Sequence, residues 1–241
     1  MQETPLQRRS LGLSVMAIVL TVSAAAGSVR GSEGGATLTG VVTFKGPIPP
    51  PQKVTVTRDA SFCGSTVTIQ PLVAQASTHG VRGAVVSLAE PPDQHVDASP
   101  SPTVIKNRNC SFLSRISATR VGALLEIGND DPVLHNTHIR SEGRTLLNVA
   151  MVPHGPSIQK QVKRPGLLNV KCDAHKFMQG YVLAFDHPYF AVTDEAGRFQ
   201  MAGIPAGLRR ITVWHETLGT IQQEVIVPAQ GEISVHIDYQ Y

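Results

Sequence analysis

The sequence predicts an all-β protein built from sandwiches, and three observations lead there. Short segments rich in Val, Ile, Leu and Thr recur along the chain. Clusters of Gly, Pro and Asp separate them at fairly regular intervals, and no long stretch repeats its apolar residues at helical spacing. The strands expected on this ground are Leu38–Phe44, Lys53–Arg58, Val81–Ala89, Leu124–Ile127, Leu167–Cys172, Tyr181–Phe185, Arg210–His215 and Glu224–Val227. With 21 glycines and 17 prolines there are enough turn formers to separate them, and two Pro-rich stretches, Gly46–Pro51 and Pro91–Pro102, read as surface connections.

Ahead of the first strand, Arg8 and Arg9 precede an apolar run from Leu11 to Ala26 that ends in Ala24-Ala25-Ala26. This is the pattern of a secretory signal peptide, expected over residues 1–26. The run is shorter than the ~20 apolar residues of a membrane span. The expected product is a periplasmic or secreted chain with no stable membrane insertion after cleavage. A formal charge of +3, spread evenly, gives no footprint for nucleic acid.

Export implies an oxidising setting, where the three cysteines, Cys63, Cys110 and Cys172, leave one over. Either Cys172 pairs with one of the others, or Cys63 pairs with Cys110 and Cys172 stays a thiolate for a metal. The residues around Cys172 favour the second. Asn169-Val170-Lys171-Cys172-Asp173-Ala174-His175-Lys176-Phe177-Met178-Gln179-Gly180 puts a thiolate, an imidazole and a thioether in one short loop between strand-like segments. Taken singly, a Met is core, a Cys is half a disulfide and a His is a solvated turn residue. Together, at Cys-x-x-His-x-x-Met spacing, they form a donor set that suits copper: a thiolate and imidazoles in a plane, a thioether as weak axial ligand. Zinc would take a further Cys, His, carboxylate or water in place of the thioether. Upstream, Glu126-Ile127-Gly128-Asn129-Asp130-Asp131-Pro132-Val133-Leu134-His135-Asn136-Thr137-His138 reads as a strand, an Asn/Asp-rich turn and a His. His138, three places from His135, falls on the opposite strand face and reads as a surface residue. His154, His187, His215 and Glu216 read as loop or strand-end groups.

This pair of motifs, His135-Asn136-Thr137-His138 followed by Cys172-x-x-His175-x-x-Met178, resembles the cupredoxin family, the amicyanin type above all. The resemblance covers roughly Val81 to Phe185. It implies a Greek-key cupredoxin-type β-sandwich binding one copper through His135, Cys172, His175 and axial Met178, with Asn136 tying the ligand loops together. The chain departs from the pattern in three places: 36 residues separate His135 from Cys172, Lys176 replaces the loop proline, and Val170-Lys171 replace an aromatic pair.

Beyond Phe185, the run Thr193-Asp194-Glu195-Ala196-Gly197-Arg198-Phe199, then Ile204-Pro205-Ala206-Gly207, resembles the carboxypeptidase regulatory-like family, which implies a smaller transthyretin-like β-sandwich module. The expected division is signal peptide 1–26, copper domain 37–186 and this module 187–241, with 37–58 able to pair with the module.

The function this implies is one-electron transfer with a redox protein such as a c-type cytochrome or a periplasmic dehydrogenase, the His175 edge beside Lys176 and Phe177 serving as exit. Copper carriage or storage, and a structural cell-envelope role, are the alternatives. No Gly-x-Ser-x-Gly or His-Glu-x-x-His motif occurs, so no enzyme is expected.

Overall fold

In the computed structural model, residues 35–91 and 100–240 are described. The expected signal peptide lies outside them, as does most of the Pro91–Pro102 loop.

In chain order the elements are β1 (Ala36–Phe44), β2 (Gln52–Thr55), α1 (Ala60–Cys63), β3 (Thr66–Ile69), β4 (Val85–Leu88), β5 (Thr103–Arg108), β6 (Ser111–Phe112), β7 (Ile116–Arg120) and β8 (Leu124–Asn129). They continue with β9 (His135–Ser141), β10 (Arg144–Met151), β11 (Ile158–Gln161), β12 (Gly166–Lys171), β13 (Gln179–Phe185) and β14 (Phe190–Val192). The last four are β15 (Arg198–Ile204), β16 (Gly207–His215), β17 (Gly219–Val227) and β18 (Glu232–Tyr239). The all-β expectation holds, α1 being a single helical turn.

The strands from β5 to β13 make two sheets, ordered β10-β9-β12-β13-β7 and β11-β8-β5-β6. Ile105, Phe112, Leu125, Ile127, Ile139, Leu168, Val170 and Val182 fill the space between them. These inward positions alternate with outward ones, as a pleated strand with one buried face requires.

A second core gathers residues from both ends of the chain: Leu38, Val42, Val86, Phe199, Ile204, Ile211, Val213 and Ile237. Its sheets run β15-β1-β18 and β14-β4-β16-β17. β1 lies antiparallel to β15 and parallel to β18, so the first and last described strands are neighbours. The turn at Asp194–Gly197 needs its glycine: Gly197 has φ +77°, and a Cβ there would come 2.4 Å from the Val42 carbonyl oxygen.

The strand grouping differs from the 37–186 and 187–241 division in two ways. β4, grouped with the copper region on sequence, pairs with β14 and β16 and buries all four of its residues with the terminal strands. A run buried on both faces carries no alternation to say which sheet it joins. β2, from the segment that was to accompany β1, instead pairs with β3 in a separate two-stranded ribbon. The strands from β5 to β13 are therefore an insertion between β4 and β14.

Candidate metal centre

Strand phase delivers most of the site. Ile139, Thr137 and His135 are successive inward positions of β9, and all are buried. Leu168 and Val170 are inward on β12, and Cys172 is the next residue in that phase. Ala184, Val182 and Gly180 do the same on β13, and Met178 precedes them. Three of the four expected donors thus point inward because they continue the alternation of strands already committed to the core. The fourth, His175, sits in the connecting loop. That loop is closed by Cys172 N–H donating to the Met178 carbonyl (3.3 Å) and Met178 N–H to the His175 carbonyl (2.9 Å).

The three nearest donor atoms form a small triangle. Cys172 Sγ lies 3.8 Å from His135 Nδ1 and 3.7 Å from His175 Nδ1, and the two nitrogens are 3.1 Å apart. All three residues are buried. A point equidistant from the three atoms lies roughly 2 Å from each, close to a metal–imidazole or metal–thiolate bond length. The donor set fits a metal ion. A second grouping, Cys110 with Asp131 and His135, offers no thiolate because Cys110 is in a disulfide.

Asn136 binds the two loops together. Its backbone N–H donates to Cys172 Sγ (3.4 Å). Its side-chain oxygen accepts from the backbone N–H groups of Asp173 and Ala174, while its amide nitrogen donates to Asp173 Oδ2 and Asn148 Oδ1. The Asn136 hydrogen bond, foremost, holds the Asp173 carboxyl below its usual pKa. His138 faces outward and pairs with Asp173 at 3.2 Å.

Two carboxylates stand behind the imidazoles, and the sequence reading identified neither. Asp131 Oδ2 is 2.9 Å from His135 Nε2. Its oxygens also accept the backbone N–H groups of Asn109 (2.6 Å) and Cys110 (2.9 Å). These two residues have φ +52° and +53° and form the two-residue turn of the β5–β6 hairpin. With Asp131 occupying Nε2, the His135 tautomer that suits a metal carries its proton on Nε2 and leaves Nδ1 free. Burial pushes the His135 pKa down, partly opposed by Asp131, which favours the neutral ring that a metal requires.

The other carboxylate comes from far upstream. Asp59, at φ +54° before α1, makes no side-chain cap to that helical turn. Instead its Oδ2 lies 3.1 Å from His175 Nε2, in contact but off the hydrogen-bond axis. The segment is anchored by the Cys63–Cys110 disulfide, which spans 47 residues. One end of that bridge is the turn that holds Asp131; the other follows Asp59. A single hairpin turn therefore connects the groups behind both imidazoles.

This arrangement corrects one expectation. The His175 edge, flanked by Lys176 and Phe177, was expected to be the exit, but the His175 side chain is 1% exposed, beneath Asp59. Lys176 is exposed and Phe177 half-buried beside it. Among the described residues, the other histidines lie outside the triad. His154 is exposed in a loop, and His187 packs beside Phe185 and Tyr189. His215 is buried against Glu216.

No family model and no curated protein matches this chain. Among solved structures, a copper-containing nitrite reductase from Thermus scotoductus is similar over 41% of this chain and 26% of its own, at 20% identity and TM-score 0.32. A purple cupredoxin from Nitrosopumilus maritimus is similar over 35% of this chain and 99% of its own, at 21% identity and TM-score 0.31. Amicyanin from Paracoccus versutus is similar over 42% and 97%, at 16% identity and TM-score 0.31. This chain thus spans about a quarter of the nitrite reductase. None of the three is a carboxypeptidase regulatory-like module, a resemblance that rests on the sequence alone.

Proposed function

We propose that this chain is an exported mononuclear copper protein that carries single electrons between redox partners. His135, Cys172 and His175 would hold the ion, with the Met178 thioether as a fourth, weaker donor. The observation that carries the reading is the buried triangle of one sulfur and two imidazole nitrogens, with the Met178 side chain buried at the next inward position of an adjoining strand. Copper bound there supplies a one-electron couple, which such a thiolate–imidazole–thioether set suits. The Met178 thioether favours copper over zinc, which would take a further Cys, His, carboxylate or water in its place.

The protein's own contribution is rigidity. Asp131 and Asn136 fix the orientations of His135 and the Cys172 loop through hydrogen bonds, and Asp59 excludes water from His175. Little has to move when the charge on the ion changes. Enclosure also argues against copper carriage, which needs a donor atom open to the receiving protein. The partner is a redox protein, a c-type cytochrome or periplasmic dehydrogenase, meeting the surface at Lys176 and Phe177. Exchange then runs across the Asp59 cover. We propose no enzymatic activity.

The test is the visible and EPR spectrum of the mature chain loaded with Cu(II), beside Cys172→Ser. An intense thiolate-to-copper band, lost in the variant, is expected. A weak spectrum that Cys172→Ser leaves unchanged overturns the reading.

A further inference from the structure

The end of the inserted sandwich opposite the triad holds a feature that the copper reading does not use. His135 begins β9 and pairs with Met151, whereas Ser141 ends β9 and pairs with Arg144. At ~3.3 Å per residue the two ends are about 20 Å apart. At the far end the two sheets part, leaving a cavity of about 390 Å³. This lies within the ~300–1,000 Å³ range of small-molecule sites.

Its wall and its mouth differ sharply in chemistry. Buried Leu125, Ile139, Val162 and Leu168 line it, and Leu146 on β10 lies alongside, 45% exposed. Around them stand four cations, Arg144, Lys160, Lys163 and Arg164, against one acid, Glu142. Among the described residues, none of these four has an ion-pair partner. Lys106 and Arg108, by contrast, are both paired with Asp130. An apolar cleft ringed by unpaired positive charge matches a molecule with a hydrocarbon tail and an anionic head.

We propose that this cleft binds a free amphiphilic carboxylate of the fatty-acid class, tail between the sheets and carboxylate among Lys163, Arg164 and their neighbours. Because the site shares no residue with the metal centre, its failure would leave the copper reading untouched.

The experiment is calorimetric titration of the full mature chain with octanoate, decanoate and decanol. Decanoate is expected to bind once per chain. Two further methylenes tighten binding roughly tenfold over octanoate. Decanol, lacking the charge, binds at least tenfold more weakly than decanoate. The double variant Lys163→Glu/Arg164→Glu alters only exposed side chains. It weakens decanoate at least tenfold with the melting temperature unchanged, whereas the control Lys53→Glu has no effect. No decanoate binding at millimolar concentration, equal binding of decanol, or equal binding by the double variant each overturns the proposal.

Discussion

Asp59 shows how much a single residue can decide. It occupies the position before a helical turn where a carboxylate ordinarily caps the free N–H groups, yet its side chain turns to His175 instead. Asp59→Ala should open His175 to solvent and speed the loss of copper to a chelator, with the thiolate band still present; an unchanged exchange rate would show that another group controls access. Asp131 has the opposite character, being fixed from several sides. Asp131→Asn keeps the shape but loses the full charge behind His135. Replacing such a group typically lowers metal affinity 10–100-fold, which competition with a chelator of known affinity will measure. At this scale the sequence was uneven. The spacing of Cys172, His175 and Met178 is local, so it can be read along the chain. Asp131 also left a signal, an acid four residues before His135 in an Asn/Asp-rich turn, but it passes for turn chemistry. Asp59 left none, because its contact with His175 crosses 116 residues of sequence.

Among the elements, the segment from β2 to β3 matters most for the site. Its helical turn contributes no residue to the core that is fully buried, so the disulfide is its principal anchor to the inserted sandwich. Closing a loop of this length contributes about 4 kcal/mol in the chain-entropy account. Cys63→Ser/Cys110→Ser should therefore lower the melting temperature and also accelerate copper exchange, as Asp59→Ala does. A loss of stability with no change in exchange would separate the bridge from the cover. The strands themselves were legible where one face is wet. β12 and β13 alternate, and their phase foretells which residues face the core, whereas β9 was not among the expected strands because its inward positions, His135 and Thr137, are polar. β4 does not alternate, so its existence could be read from its apolar run but its sheet could not. β11 lies in a polar stretch, where no apolar pattern announces a strand.

Across the whole molecule, acid sensitivity should come from the terminal-strand core. His215 is buried and its pKa is lowered to about 4, mainly by burial and then by the Arg115 charge, with a hydrogen bond from the ring to the Arg82 backbone opposing. A histidine depressed on folding is protonated in the unfolded chain first. Stability is accordingly intact above the unfolded value of about 6.5 and falls as pH drops toward 4, by on the order of 3 kcal/mol. Glu216, raised by burial, works in the opposite sense. Melting curves from pH 7 to 4 should show a steep decline that His215→Gln makes shallower; equal slopes would place the sensitivity elsewhere.

The pairing of the first strand with the last sets an order of assembly. β1 is made long before its parallel partner β18, and contacts between such distant segments form slowly. The inserted strands have their own core and most of their contacts within residues 103–185. A nascent chain can therefore complete the thiolate loop while its two ends are still apart. The donor residues would then be in place before β1 meets β18, so an ion arriving at that stage would meet the proposed site without the rest of the fold around it.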